Sequence, residues 1–122
     1  MSFCHAVLTL KDLDASIAFY RDIVGLPVKV RQPAGPNGEL AFLGEGGTLV
    51  ELLCSKTPFH NEGNEAGNGV ALGFEVGGTL EDKMALLREK GYKTDDAITS
   101  LPNVKFFFAK DPDGYNVQFI KR

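Results

Sequence analysis

The chain has 122 residues, 43% of them hydrophobic and 24% charged, which suits one domain with its own core and excludes disordered or collagen-like chains. With 16 acidic residues against 13 basic, the net charge is −3, and the basic stripe of a nucleic-acid binder is absent. No apolar run approaches the ~20 residues of a membrane helix, no cationic segment precedes the apolar start, and Cys4 and Cys54 match neither a disulfide framework nor a zinc knuckle, so a protein of the reducing cytoplasm without membrane partners is expected. In chain order, Phe3 to Leu10 reads as a strand. A helix follows from about Leu13 to Val24, started by Asp12 or Asp14, striped by Leu13, Ile17, Tyr20 and Val24, and stopped at Gly25. Leu26 to Val30 is a short strand, and Gln32 to Gly38 a Pro/Gly-rich turn. Strands Glu39 to Leu43 and Thr48 to Cys54 flank the hairpin turn Gly44-Glu45-Gly46-Gly47. A polar stretch from Ser55 to Asn68 comes next. Gly69 to Val76 is then a strand and Thr79 to Lys90 a helix ending at Gly91, with Thr79 and Asp82 in capping-box spacing and Leu80, Met84 and Leu87 as its buried stripe. Strands near Tyr92 to Thr94, Val104 to Ala109 and Tyr115 to Ile120 complete the chain, the last two joined by Asp111-Pro112-Asp113-Gly114.

The same order of elements occurs twice. At a fixed offset of 66 residues Leu10 falls on Val76, Gly25 on Gly91 and Phe42 on Phe108. One extra residue in the second hairpin raises the offset to 67 and places Val50-Glu51-Leu52 on Val117-Gln118-Phe119. The expected fold is therefore α+β, two βαβββ modules at 1–54 and 69–122 joined by a linker at 55–68, together one domain. A lone helix covers only one face of its sheet, so each copy needs a partner for the other face.

Alternation along each strand sorts its side chains. Cys4, Ala6, Leu8 and Leu10 share the helix side of the first strand, leaving His5, Val7 and Thr9 opposite. Val50, Leu52 and Cys54 match that helix side, leaving Leu49, Glu51 and Leu53. In the second copy Val70, Leu72, Phe74 and Val76 face the helix, and Ala71, Gly73 and Glu75 do not. Val117 and Phe119 pack inward, while Asn116, Gln118 and Ile120 face away. His5, Glu51, Ala71 and Gln118 thus take equivalent places on the faces away from the helices. A carboxylate between Val50 and Leu52 costs on the order of several kcal/mol to bury unless it is paired, hydrogen-bonded or bound to metal. His5 offers a nitrogen ligand and Gln118 an amide oxygen. Cys4 and Cys54 read as small buried hydrophobes, and His60 as an exposed linker histidine. Of Phe106, Phe107 and Phe108, at least one must face the core and one the opposite side.

The opening His5-Ala6-Val7-Leu8-Thr9-Leu10, with Asp12-Leu13-Asp14-Ala15-Ser16-Ile17-Ala18-Phe19-Tyr20-Arg21-Asp22 and Gly25-Leu26, resembles the first-module signature of the vicinal oxygen chelate superfamily. The closing Asp111-Pro112-Asp113-Gly114-Tyr115-Asn116-Val117-Gln118-Phe119 resembles its second-module signature. That superfamily holds glyoxalase I, bleomycin and fosfomycin resistance proteins, extradiol dioxygenases and methylmalonyl-CoA epimerase. The resemblance implies curved sheets forming a cup, a homodimer and a small-molecule ligand or substrate. It also implies a divalent metal (Zn, Ni, Co or Mn) held by one residue from the first and last strand of each module. Those positions here are His5, Glu51, Ala71 and Gln118. Ala71 stands where a histidine is usual and has no donor atom. Gln118 stands where a glutamate is usual, and its amide cannot accept a proton as a catalytic carboxylate does.

Two functions follow. In the first the chain is a glyoxalase-I-like, metal-dependent isomerase of a thiohemiacetal, with His5, Glu51 and Gln118 as metal ligands, Glu51 as the catalytic base and a thiol as co-substrate. In the second it is a non-enzymatic binding protein of the bleomycin-resistance type, working without metal. The two-histidine, one-carboxylate triad of the dioxygenase branch is not present at the matched positions.

Overall fold

The alternation read along the chain becomes two four-stranded sheets in a computed structural model that describes residues 1–56 and 69–122. The chain divides into two units, Met1–Asn64 and Glu65–Arg122. In the first, β1 (His5–Thr9) leads into α1 (Leu13–Ile17), whose winding continues as a π-helix over Ala18–Val24. Next come β2 (Val28–Pro33), β3 (Gly38–Leu43) and β4 (Leu49–Ser55), in the sheet order β1-β4-β3-β2. The second unit repeats the scheme with β5 (Ala71–Glu75), α2 (Leu80–Glu89), β6 (Thr99–Leu101), β7 (Val104–Lys110) and β8 (Asn116–Lys121), ordered β5-β8-β7-β6. These are two βαβββ units with mixed sheets: β1 runs parallel to β4 and β5 to β8, and the other neighbours are antiparallel. None of the described helices is long and apolar enough to cross a membrane.

Each helix starts where a side-chain oxygen replaces a missing backbone acceptor. The Asp12 carboxylate accepts from the Ala15 amide at 3.2 Å, and the Thr79 hydroxyl from the Asp82 amide at 3.1 Å. Both helical stretches end ahead of a glycine in the left-handed region, Gly25 at φ 95° and Gly91 at φ 87°. Leu13, Ile17, Phe19, Tyr20 and Ile23 bury one face of the first helix. The expected stripe put Val24 there; Ile23 takes that place, because π winding changes the phase of the last turn, where the Gly25 amide bonds the Tyr20 carbonyl at 3.1 Å. Leu80, Met84 and Leu87 are buried as expected, with Val117, Phe119 and Phe107 among the buried residues of their unit. Phe107 and Phe119 stack at 5.3 Å.

Three expectations are corrected. The strand expected at Tyr92 to Thr94 forms only a bridge from Thr94 to Ala109, and β6 lies further on. The Asp95 carboxylate accepts the Phe108 amide at 2.9 Å, and Arg88 holds the Asp95 and Asp96 carbonyls at 2.9 and 3.1 Å, which interrupts the ladder. Next, β2 extends to Pro33, where a turn was expected. It is an edge strand, and an edge tolerates the missing amide of a proline. Finally, Cys4 is exposed rather than a buried hydrophobe, and Val70 is exposed as well, since both precede the first paired residue of their strands. Cys54 is half-buried, its thiol 3.4 Å from the Lys11 carbonyl.

A charged clamp fastens the β2–β3 hairpin to the helix start. Arg31 donates to both Glu39 carboxylate oxygens, at 2.7 and 3.2 Å, and to Asp14 at 2.8 Å. The hydrogen bonds from Arg31 lower the Glu39 pKa below its ordinary 4.5 and hold the guanidinium more firmly protonated. A depressed carboxylate stabilises the fold above its unfolded value, and that contribution is lost as pH falls through the lower folded value. Thermal midpoints of wild type should therefore fall on acidification below pH 4.5 more steeply than those of Arg31→Met, and parallel acid limbs would show the clamp to be inert. Thr79→Ala should cost about 1 kcal/mol in a denaturant melt by removing the α2 cap.

Candidate functional site

The parallel register of β1 and β4 sets His5 beside Leu49 and Val7 beside Glu51. The antiparallel register of β3 and β4 sets Phe42 beside Glu51. Period-two alternation then puts His5, Glu51 and Phe42 on one face of three adjacent strands, opposite the face where Val50 and Leu52 are buried. The two polar residues meet there, with His5 Nε2 at 3.1 Å from Glu51 Oε1. An ionised carboxylate only accepts, so this contact requires a proton on Nε2. The Glu51 side chain is 12% exposed and that of His5 31%, so the carboxylate is largely withdrawn from water and the imidazole is its visible partner. Phe42 meets the imidazole edge to face, with centroids 5.3 Å apart and planes at 85°. Phe42 was not among the expected site residues, although its alternation on β3 and its match with Phe108 both signal the position.

Gln118 repeats the place of Glu51 in the second unit, with Gly73 on β5 and Phe108 on β7 as its register partners. The two registers are equivalent residue for residue, yet the side chains differ. Ala71 stands at the position of His5 and offers no donor. Gly73 replaces Val7, and the Gln118 amide lies back over it: a β-carbon at Gly73 would meet Gln118 Oε1 at 3.2 Å. Phe106 and Phe108 make an edge-to-face pair at 5.8 Å, while Phe107 points to the core, so the three phenylalanines divide between the faces as expected. Glu75, also on this face, is exposed and lies 3.7 Å from Arg122. His60 falls outside the described residues.

Donor chemistry tests whether this set suits a divalent metal. His5 Nε2 and Glu51 Oε1 are one nitrogen and one oxygen whose 3.1 Å separation is close to the ~3 Å between neighbouring ligands with bonds of ~2.1 Å at right angles. They fit a metal as a two-donor half-site. Among the described residues no group of three or more His, Cys, Asp or Glu forms a fuller set. In such a site the metal and the shared proton compete for the same place, since Nε2 cannot both donate to Glu51 and ligate.

The sequence model of the Glyoxalase/Bleomycin resistance protein/Dioxygenase superfamily matches residues 2–119. The chain belongs to that superfamily. A probable lactoylglutathione lyase of Synechocystis sp. is 34% identical over 131 aligned residues, covering 99% of this chain and 95% of its own. A lactoylglutathione lyase of Haemophilus influenzae is 31% identical, covering 99% and 93%. Among solved structures, a glyoxalase I of Leishmania major superposes with a TM-score of 0.76 at 23% identity, covering 99% of this chain and 86% of its own. At that identity the likeness is one of fold. In this superfamily member, the packing of the Gln118 amide on β5 is open to test. Gly73→Ala should leave the fold intact and displace the side-chain amide by a few tenths of an ångström, seen as shifted Gln118 side-chain NMR signals. Unchanged signals would mean that the amide does not rest on the strand.

Proposed function

We propose that the chain is a glyoxalase-I-like, metal-dependent isomerase acting on a thiohemiacetal or a related substrate with vicinal oxygens. The observation that carries this reading is the His5–Glu51 pair, a nitrogen and a carboxylate oxygen at 3.1 Å on the sheet face away from the helix. The probable lactoylglutathione lyase at 34% identity and the lactoylglutathione lyase at 31% support the same chemistry. His5 and Glu51 are the proposed metal ligands, both within the first unit. A divalent metal, when bound, supplies Lewis-acid stabilisation of negative charge on vicinal oxygens. Glu51 is the proposed base, taking a proton from one substrate carbon at a carboxylate oxygen and returning it to the neighbouring carbon. Until the shared proton gives way to metal, His5 holds the carboxylate in place from the β1 side, and Phe42 packs against the imidazole. A thiol co-substrate, a homodimer and a cytoplasmic setting belong to the same proposal.

A second reading has its own support. His5 and Glu51 satisfy each other by one hydrogen bond, Ala71 brings no donor and Gln118 cannot act as a base. The same face would then bind a small molecule without metal or turnover. Elemental analysis after metal loading and dialysis, with Glu51→Gln alongside, separates the two. An isomerase should retain near-stoichiometric metal in wild type, lose it in Glu51→Gln, and lose about 10²- to 10⁴-fold of its thiohemiacetal turnover with it. Wild type and variant that both emerge metal-free would overturn the isomerase and leave the binding protein.

A further inference from the structure

The second unit carries a hollow of about 490 Å³ lined by Lys93, Thr94, Asp95, Phe108, Ala109, Lys110 and Asn116. The bridge between Thr94 and Ala109 decides which side chains reach it. Ala109 is buried and the Thr94 hydroxyl accepts from Arg88 of α2 at 3.0 Å, so that pair faces the helix. Alternation sends Lys93, Asp95, Phe108 and Lys110 to the other face. There Lys93 and Lys110 stand directly opposite each other, the Lys110 amide bonded to the Lys93 carbonyl at 3.0 Å. Like charges in directly opposed positions destabilise a strand pair, and here they occur in a chain of net charge −3. Lys110 Nζ donates to Asn116 Oδ1 at 2.5 Å, and both residues line the hollow. The Lys93 ammonium has no side-chain partner among the described residues. Asp95 contributes the one carboxylate, whose Oδ2 accepts the Phe108 amide at 2.9 Å. Within this hollow's lining two ammoniums and one carboxylate leave a single positive charge in excess, beside an aromatic ring, while Asp111 and Asp113 line an adjoining hollow that the same two lysines border.

We propose that this hollow binds a small monocarboxylate, its anionic end between Lys93 and Lys110 and its apolar body against Phe108. One excess charge suits a monoanion better than a phosphate dianion, and the volume lies within the range of small-molecule sites. The site uses neither His5 nor Glu51, though its Phe108 is the register partner of Gln118 and stands on the same sheet face.

Benzoate is the probe, titrated into the full isotope-labelled chain in chelator-treated buffer, with acetate and inorganic phosphate in parallel. Saturable NMR shifts should centre on Lys93, Phe108, Lys110 and Asn116, and acetate should bind more weakly for want of a ring. Lys93→Gln and Lys110→Gln should each weaken benzoate about tenfold by removing a charge-assisted contact. Lys93→Gln should also keep the thermal midpoint of wild type or exceed it, because it relieves the opposed charges. Benzoate affinity unchanged in both variants, shifts centred elsewhere, or phosphate bound as tightly as benzoate would overturn the proposal.

Discussion

The register of β4 between β1 and β3 is the constraint on which the candidate site depends. It places Glu51 level with Val7 and Phe42, and it brings the His5 imidazole within hydrogen-bonding reach of the carboxylate. Strand side chains alternate, so a slip of one residue would drive Glu51 under the helix and turn Leu52 out. The apolar cost of such a slip is what fixes the polar pair. Val50 and Leu52, buried on one face, keep Glu51 on the other. Core and site are two sides of one strand.

The second unit shows what that backbone allows when its side chains change. Its registers match those of the first unit, but Ala71 and Gly73 strip the β5 face of bulk and Gln118 lies across the gap. A carboxylate at that place would need a partner on β5, and Ala71 cannot be one. A neutral amide needs only hydrogen bonds, so Gln118 and Ala71 are mutually consistent. The duplication has thus separated charge from framework: the same four-strand plan carries a histidine–carboxylate pair in one unit and, at the matching positions, Ala71 and the neutral Gln118 in the other. The superfamily match spans both units, and the difference between them bears directly on whether the chain is a metal enzyme or a binding protein.

Most of the framework was legible in the residues because each element is patterned locally. The strand faces, the two helix starts, the glycine stops and the duplication all rest on spacings within a few positions or on one constant offset. His5 and Glu51 could be placed on one face for the same reason. Their contact could not, since it depends on which rung of β4 meets which rung of β1. Phe42 and Gly73 were missed as site neighbours on that account. The displaced β6 has another cause: the Asp95 carboxylate takes an amide that a backbone carbonyl would otherwise accept, and Arg88 reaches from α2 to hold the bend. The length of β2 was misjudged because Pro33 reads as a turn residue everywhere except at an edge. Cys4 escapes its expected burial because alternation does not extend ahead of His5, the first paired residue of β1.

That same edge strand has a consequence for how the protein behaves in concentrated solution. An open sheet border is a template on which another chain can continue the ladder. Along β2 the outer border is interrupted by the irregular step between Val28 and Val30, carries the cations Lys29 and Arg31, and ends at Pro33, which has no amide to offer. At the matching border of the other sheet, β6 is only three residues long. Neither border presents a long flat row of donors and acceptors. Growth of either sheet from these sides is discouraged by the backbone itself.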